Sequence, residues 1–346
     1  MAAGVERRSA RQRRRRQRVW WLGAGAAILA CLAVASLAVG SRPVPARAVL
    51  DALVAYDPGN DLHLVVRAVR LPRMLVSLLA GAALGVAGAV MQATTRNALA
   101  EPGLLGINAG AATAVVGAAA LFGLTSVAQY LLFAVAGAGL AGAAVFLLGR
   151  AYETGINPVR LLLAGAGISV TLGAVTGIVI LNAPPTVFDE FRTWMAGSLE
   201  RAGVEAVAVL AAAVTVGLAT VLASVDSLNA MALGKDLGQA LGADPRRTWL
   251  LSCLTVMVLA GAATAAVGPI GFVGLIAPHL ARAVAGPDHR WILPVSGLFA
   301  AILLLGADIA GRVIAAPSEL PAGIVTALVG GPFFIVAVRR FRAGRR

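Results

Sequence analysis

Few residues in this chain are of the types that enzymes use for chemistry. The sequence holds three histidines, His63, His279 and His289, and none belongs to an H-E-x-x-H zinc motif or to a His/Cys cluster. No G-x-S-x-G nucleophile motif occurs. The pair Gly234-Lys235 resembles the end of a phosphate-binding loop, but Asp236 stands where that loop needs Ser or Thr. The sequence therefore predicts no catalytic set, no metal site and no ATPase site of this kind.

Arginines and one interior aspartate are the remaining candidates for functional chemistry. Arg67, Arg70 and Arg73 precede a long apolar run, and Asp308 lies near the end of another, four residues before Arg312. We interpret Asp308 as half of a helix-end ion pair with Arg312 rather than as an ion-coupling group. A transporter with so little charge inside its apolar runs is expected to take its energy from a partner.

The elements that must position these residues are apolar runs of about twenty residues each. With 59% hydrophobic and 13% charged residues, the chain has too little polar surface to clothe a soluble globule of 346 residues. We predict an all-α polytopic membrane protein with about ten transmembrane helices. The predicted spans are Val19–Val39, Met74–Thr94, Gly103–Phe122, Val127–Leu148, Leu161–Leu181, Val204–Val225, Trp249–Val267, Ile270–Ala285, Trp291–Ala310 and Ala322–Val338.

The charged tails predict how the chain lies in the membrane. Residues 1–18 and residues 339–346 are rich in arginine, and such segments stay on the cytoplasmic side. We therefore expect both termini in the cytoplasm and one permease domain, residues 19–338, in the cell membrane. The apolar run at the N-terminus is too long for a signal peptide, so we expect a retained first span. The net charge of +13 indicates contact with lipid headgroups and not with nucleic acid.

Glycine spacing predicts how the helices pack. The pairs Gly81/Gly85, Gly106/Gly110 and Gly173/Gly177 each place small residues on one helix face, which lets neighbouring backbones approach closely. Such pairs are common in membrane helices and do not identify a function.

Several long motifs in order carry a resemblance to a known family. They are Arg70-Leu-Pro-Arg73, Thr95-Arg-Asn-Ala-Leu-Ala-Glu-Pro102, Gly268-Pro-Ile-Gly-Phe-Val-Gly-Leu-Ile-Ala-Pro-His279, Gly286-Pro-Asp-His-Arg290 and Glu319-Leu-Pro-Ala-Gly323. This set closely resembles the permease subunit of iron-siderophore and cobalamin ABC importers. The similarity extends from about residue 19 to residue 340.

The resemblance implies a ten-helix permease that is not itself an enzyme and holds no cofactor. It implies a second permease subunit, identical or paralogous, with the translocation path along the dimer axis. It also implies two cytoplasmic ATPase subunits and an extracytoplasmic substrate-binding protein. A ferric siderophore is the expected cargo, with cobalamin or haem as alternatives. An ion-coupled secondary transporter and an intramembrane enzyme are the rival classes.

The resemblance also assigns roles to residues at both sides of the membrane. In the family, certain arginines receive carboxylates of the binding protein, and the matching positions here are Arg70, Arg73 and Arg312. The alternative is that these arginines contact lipid headgroups. Residues 226–247 match the segment that docks into the ATPase, and we predict two short amphipathic helices with a glycine break. An ordinary helix lying on lipid is the alternative. The coupling residues are Leu233, Gly234, Leu237, Leu241 and Gly242.

The family's inner gate lies before an Arg-Leu-Leu-Leu-Ala-Gly run, which residues 160–165 reproduce. The matching gate positions are Asn157, Pro158 and Val159, although they lack the hydroxyl groups often found there.

Two further motifs are expected to serve structure. Asn97 and Glu101 are predicted to satisfy free backbone donors in a turn, and Pro102 to open the third span. Pro278 is predicted to break the eighth span, with His279 satisfying the freed carbonyls rather than binding a metal.

Overall fold

A computed structural model describes residues 2–40, 43–124, 127–149, 158–200 and 202–343. Within these ranges the chain is helical and contains no strand. In chain order, the α-helices of the described residues are α1 (Ala2–Ala38), α2 (Ala46–Val54), α3 (Asp61–Leu64), α4 (Leu71–Thr95), α5 (Ile107–Phe122), α6 (Val127–Leu148), α7 (Pro158–Asn182), α8 (Pro185–Met195), α9 (Val204–Ala232), α10 (Lys235–Ala240), α11 (Pro245–Val267), α12 (Val273–Ala285), α13 (His289–Ile314) and α14 (Ala322–Ala343).

The helices confirm the predicted spans. Among the described residues, eight helical segments are long and apolar enough to cross a membrane. The shorter apolar helices α5 and α12 account for the third and eighth predicted spans. Each of the ten predicted spans therefore corresponds to one helix. Helices are expected there because a helix satisfies its own backbone hydrogen bonds where water is absent.

Two predicted span boundaries were wrong. The third span was expected to begin at Gly103, but Pro102–Leu105 forms a 3₁₀ turn and α5 begins at Ile107. Gly106, with φ of +72°, separates the turn from the helix, a conformation that glycine adopts without strain. The eighth span was expected from Ile270, but residues 268–272 are not helical and α12 begins at Val273.

Helix α4 is central, and its glycines set how closely α12 and α13 approach. A side chain at Gly81 would place its Cβ 2.7 Å from the Cα of Ala301 on α13. At Gly85 and Gly88 the added Cβ would overlap the backbone carbonyls of Ser296 and Gly274. The predicted packing by Gly81 and Gly85 is confirmed, and close backbone contact substitutes for a hydrophobic drive inside lipid.

The other two glycine pairs behave differently. Gly110 packs against the carbonyl of Gly137 on α6, as predicted, whereas its partner Gly106 forms the turn described above. Around Gly173 and Gly177, no described atom outside the adjoining backbone of α7 lies within 4 Å of an added Cβ. Helix α7 therefore presents a small-residue face outward, and the predicted packing is not made among the described residues.

The bundle has two ends, which we name by their residues. The arginine end contains Arg70, Arg73 and Arg312, where α1 and α13 finish and α4 begins. The α10 end contains α10 together with the last turn of α9 and the link between α12 and α13. Since α4 runs from one end to the other, the two ends lie on opposite faces of the membrane.

Candidate functional site

Arg73 forms the centre of an ion-pair cluster at the arginine end. Its Nε and Nη2 donate to Oδ1 of Asp308 at 2.9 and 2.7 Å, and its Nη1 donates to Oε2 of Glu319 at 2.7 Å. The Arg312 Nη2 lies 3.1 Å from Oδ2 of Asp308, one helical turn away on α13. The interpretation of Asp308 as a helix-end ion pair is confirmed, because two guanidinium groups hold its carboxylate.

Two residues of the arginine end, Arg70 and Arg312, also close the C-terminal end of α1. The last carbonyls of a helix lack donors within the helix. Arg312 Nη1 donates to the carbonyls of Ser36 and Val39 at 3.0 and 3.1 Å, and Arg70 Nη1 donates to the carbonyl of Leu37 at 2.7 Å. These cations also complement the negative end of the helix dipole. The arginine end therefore fastens α1 to α4 and α13.

Burial distinguishes the arginines that the family resemblance singled out. Arg70, Arg73 and Arg312 are only 6%, 7% and 2% exposed, whereas Arg67 is exposed and stacks on Tyr56 at 4.6 Å. The Glu319 side chain is 22% exposed and is the most accessible member of the Arg73 ion pairs. Direct docking by the three arginines stays a prediction, and in this structure their guanidinium groups bind groups of the chain itself.

The predicted coupling segment forms an exposed apolar ledge at the α10 end. Leu233, Leu237 and Leu241 are 62%, 60% and 64% exposed. Gly234 and Gly242 have φ of +122° and +86°, so both turns that bound α10 use conformations that favour glycine. The two glycines thus form the turns before and after α10, and the three leucines face outward.

One part of the coupling-segment prediction was wrong. Two short helices were expected, but residues 226–232 continue α9 without a break, and only α10 is short. No glycine or proline precedes Gly234 in this stretch, so nothing interrupts the helix. The coupling segment therefore consists of the last turns of a 29-residue helix, a glycine turn and the short helix α10.

Polar side chains fix the last turns of α9 to the rest of the α10 end. Arg290 Nη2 donates to Asp226 Oδ1 at 2.6 Å, and Asn229 Nδ2 donates to Asp288 Oδ1 at 3.0 Å. Arg96, just after α4, donates from Nη2 to the carbonyl of Met231 at 2.6 Å. None of these contacts was expected from the sequence, where the only signal was a polar residue type near each helix end.

The link between α4 and α5 has the predicted structural role, with one correction. Asn97 Oδ1 accepts the N–H of Leu99 at 3.0 Å, and Glu101 Oε1 accepts the N–H of Phe272 at 2.7 Å. Burial raises the pKa of the Glu101 carboxyl above its ordinary value, opposed by the hydrogen bond from Phe272. Pro102 opens the 3₁₀ turn and not the third span itself.

The prediction that Pro278 breaks the eighth span was wrong. Helix α12 continues through Pro278 to Ala285. A proline leaves the carbonyl four residues earlier without its donor, and here that carbonyl belongs to Gly274. Gln92 of α4 donates from Nε2 to the carbonyls of Gly274 and Leu275, each at 3.4 Å. A neighbouring helix thus satisfies the freed group, which lets the helix continue.

The described residues test neither the proposed gate nor a metal role. Asn157 lies outside the described residues, Pro158 begins α7, and Val159 is 59% exposed. The gate stays a prediction. The His279 ring lies edge-on to Phe333, 5.5 Å between centroids. Within the described ranges, no group of three or more His, Cys, Asp or Glu side chains is arranged to hold a metal ion.

Comparison with known proteins agrees with this architecture. The FecCD transport family model matches residues 28–340. The ferric enterobactin transport system permease protein FepD of Escherichia coli (strain K12) is 46% identical, over 92% of this chain and 95% of its own length. The iron(3+)-hydroxamate import system permease protein FhuB of Bacillus subtilis (strain 168) is 37% identical, over 93% and 83%.

A solved structure has the same fold. It is described as an inward-facing metal-chelate type ABC transporter and aligns with a TM-score of 0.79 at 28% identity, covering 92% of this chain and 98% of the other. The matched range includes both the arginine end and the α10 end. Together with the ten apolar helices, these findings show that the chain is a multi-pass membrane protein that belongs to the FecCD transport family.

Proposed function

We propose that this chain is the permease subunit of an ATP-driven importer that carries a ferric siderophore into the cytoplasm. The observation that carries the proposal is the ledge of three exposed leucines, one on α10 and one on either side of it, placed at one end of a FecCD-family bundle. The relatives described above import ferric enterobactin and Fe³⁺-hydroxamate, which favours a ferric siderophore over cobalamin or haem.

The α10 end is proposed to face the cytoplasm. The arginine-rich tails support this orientation, because α1 begins and α14 finishes with basic residues and ten helices return the chain to the same side. Tags at residue 3 and residue 345 are then inaccessible from outside intact cells, and labelling of either tag without permeabilisation contradicts the orientation.

The α10 ledge is proposed to bind the ATPase subunits, where ATP hydrolysis occurs. Leucines that are about 60% exposed at a helix surface gain free energy when an apolar cleft covers them. Gly234 and Gly242 bound α10, and their positive φ values place it at an angle that a residue with a side chain would not readily adopt. A helix lying on lipid is the alternative, and it predicts membrane contact without specific ATPase binding.

The arginine end is proposed to receive the substrate-binding protein. Carboxylates of that protein would compete with the internal acids for Arg70, Arg73 and Arg312. Glu319 is the internal acid most open to exchange, because it is the more exposed acid bound to Arg73. Docking then replaces one carboxylate by another and leaves Asp308 in place.

A second permease subunit, identical or paralogous, is proposed to complete the path. The outward small-residue face of α7 around Gly173 and Gly177 supports a close helix contact with another chain. Asp308 bears on the rival ion-coupled mechanism. Because Arg73 and Arg312 hold this carboxylate, its position favours a structural role over proton carriage.

Uptake of radiolabelled iron, supplied as ferric siderophore on its binding protein, tests the proposal in spheroplasts with and without this chain. We expect uptake that needs the chain, continues when an ionophore collapses the proton gradient, and stops when cellular ATP is depleted. Uptake that stops with the gradient while ATP remains contradicts the proposal and favours the secondary transporter. Haem and cobalamin, tested in parallel, identify the cargo class.

A further inference from the structure

We propose that Arg96 and Glu101 are positioning residues that transmit movement of the coupling segment to α12 and α14. The inference rests on the proposed function, since it concerns how ATPase movement reaches the membrane helices. Both residues belong to the link between α4 and α5, which contacts the coupling segment at one end and the start of α12 at the other.

The first contact joins the link to the coupling segment. Arg96 follows α4 with φ of +51°, a left-handed conformation that is uncommon for a residue with a side chain. This conformation ends the helix, and the Arg96 guanidinium reaches the carbonyl of Met231 at 2.6 Å. Met231 lies in the last turn of α9, two residues before Leu233 of the ledge. A displacement of the ledge therefore acts on Arg96.

The second step is a short and internally bonded turn. Asn97 Oδ1 accepts the N–H of Leu99, and the Asn97 carbonyl accepts the N–H of Ala100 at 3.1 Å. Ala100 is 1% exposed, so the turn is packed against the bundle. Because these bonds restrict the backbone between Arg96 and Glu101, movement of one residue is carried to the other.

The third contact joins the link to α12. Glu101 accepts the N–H of Phe272 at 2.7 Å, and Phe272 is the residue that precedes the first turn of α12. Acceptors at a helix start usually come from the helix's own N-cap residue. Phe272 is the N-cap residue of α12 and its side chain accepts no such bond, but its own N–H donates to a residue 171 positions away in sequence, which ties the start of α12 to the link.

The last contact reaches α14. A side chain at Gly330 would overlap the ring of Phe272, so the ring lies directly on the backbone of α14 at this glycine. Phe272 has φ of +68°, a left-handed conformation that is uncommon for a residue with a side chain. The chain of contacts runs from the ledge through Met231, Arg96, Glu101 and Phe272 to Gly330.

The same contacts would be present if the link only supported the fold, so the test measures the coupling between ATP hydrolysis and transport. Arg96→Met removes the donor to Met231, and Glu101→Met removes the acceptor for Phe272. Arg96→Lys and Glu101→Gln keep a donor and an acceptor, respectively, and serve as matched variants. Arg192→Met, which alters an exposed pair with Asp189 on α8, is the control.

The experiment uses the assembled complex in vesicles and records ATPase association, ATP hydrolysis and chelate transported per ATP. We expect the two Met variants to keep association and hydrolysis within about twofold, while transport per ATP falls about tenfold. The double Met variant should lose no more than the stronger single variant. The Lys, Gln and Arg192 variants should transport at near the original ratio.

Unchanged transport per ATP in both Met variants overturns the inference. The inference is also overturned if the fold-loss of transport per ATP in the double variant equals the product of the two single fold-losses. If Glu101→Met does not assemble, Gly330→Ala replaces it, because the added Cβ displaces the Phe272 ring. Failure of the proposed function itself is distinguishable, since the unaltered complex would then show no ATP-dependent transport.

Discussion

Replacement of Asp308 by Asn should strongly destabilise the arginine end. The Asp308 carboxylate is 1% exposed and lies 2.7 Å from Arg73 Nη2 and 3.1 Å from Arg312 Nη2. Asparagine has nearly the same shape but removes the negative charge. Two buried guanidinium groups then lose their shared counter-ion, although Arg73 keeps its bond to Glu319.

The size of the effect follows from the burial of the pair. Removing one partner of a buried ion pair costs about 3–5 kcal/mol, because the remaining charge stays desolvated. Since Asn keeps one acceptor oxygen and Arg73 keeps Glu319, we expect the lower value, about 3 kcal/mol. The exposed pair of Asp189 and Arg192 is the matched control, and its loss should cost at most about 1 kcal/mol.

The measurement is the midpoint of thermal unfolding of the purified permease in detergent. We expect Asp308→Asn to lower the midpoint by about 6 °C and Asp189→Asn by less than about 2 °C. In the double variant Asp308→Asn/Arg73→Gln, the total loss should be smaller than the sum of the single losses, because the two side chains interact directly.

Equal midpoints for Asp308→Asn and Asp189→Asn would refute this reasoning. Full stability of Asp308→Asn together with lost uptake would be more informative still. It would show that Asp308 serves uptake directly rather than fastening helices, and uptake that depends on a proton gradient would then favour the secondary-transporter class.

Three further predictions concern the two ends of the bundle and the link between α4 and α5. Leu233→Asp or Leu241→Asp should weaken ATPase association by several kcal/mol, measured by binding assays, and normal co-purification of both variants would contradict the role of the ledge. Glu319→Gln should free Arg73 Nη1 and tighten association of the binding protein, most at low salt; unchanged affinity would exclude the carboxylate exchange. Because the pKa of Glu101 is raised in the fold, its stabilising contribution is present at pH below the unfolded-state pKa and is lost as pH rises through the folded-state pKa. The unfolding midpoint of the natural protein should therefore fall relative to that of Glu101→Gln over this pH window. A constant difference between the two midpoints would refute this prediction.

The spans were predictable from sequence because lipid imposes a simple rule. A crossing helix needs about twenty apolar residues, and this requirement is visible without knowledge of any neighbour. The packing of Gly81 and Gly85 followed for the same reason, since two small residues four apart lie on one helix face. The prediction that the exposed leucines belong to a coupling segment came from the family resemblance.

Contacts between distant segments were not predictable in this way. Pro278 was expected to break its helix, and only the approach of Gln92 from α4 explains why the helix continues. The arginines near residue 70 were placed near a membrane face by charge, but charge counting does not reveal that Arg73 is buried against Asp308. Arg96 and Met231 are 135 residues apart, and no local pattern joins them.

The most direct test of the central claim is uptake by purified vesicles that contain this permease, its partner permease and the ATPases, with the binding protein and a ferric siderophore outside. We predict accumulation of iron inside the vesicles only when ATP reaches the ATPase side, and loss of that accumulation in Leu237→Asp, whose charge disrupts the ledge. Accumulation driven by a proton gradient without ATP, or ATP-dependent accumulation that Leu237→Asp leaves intact, would contradict the account.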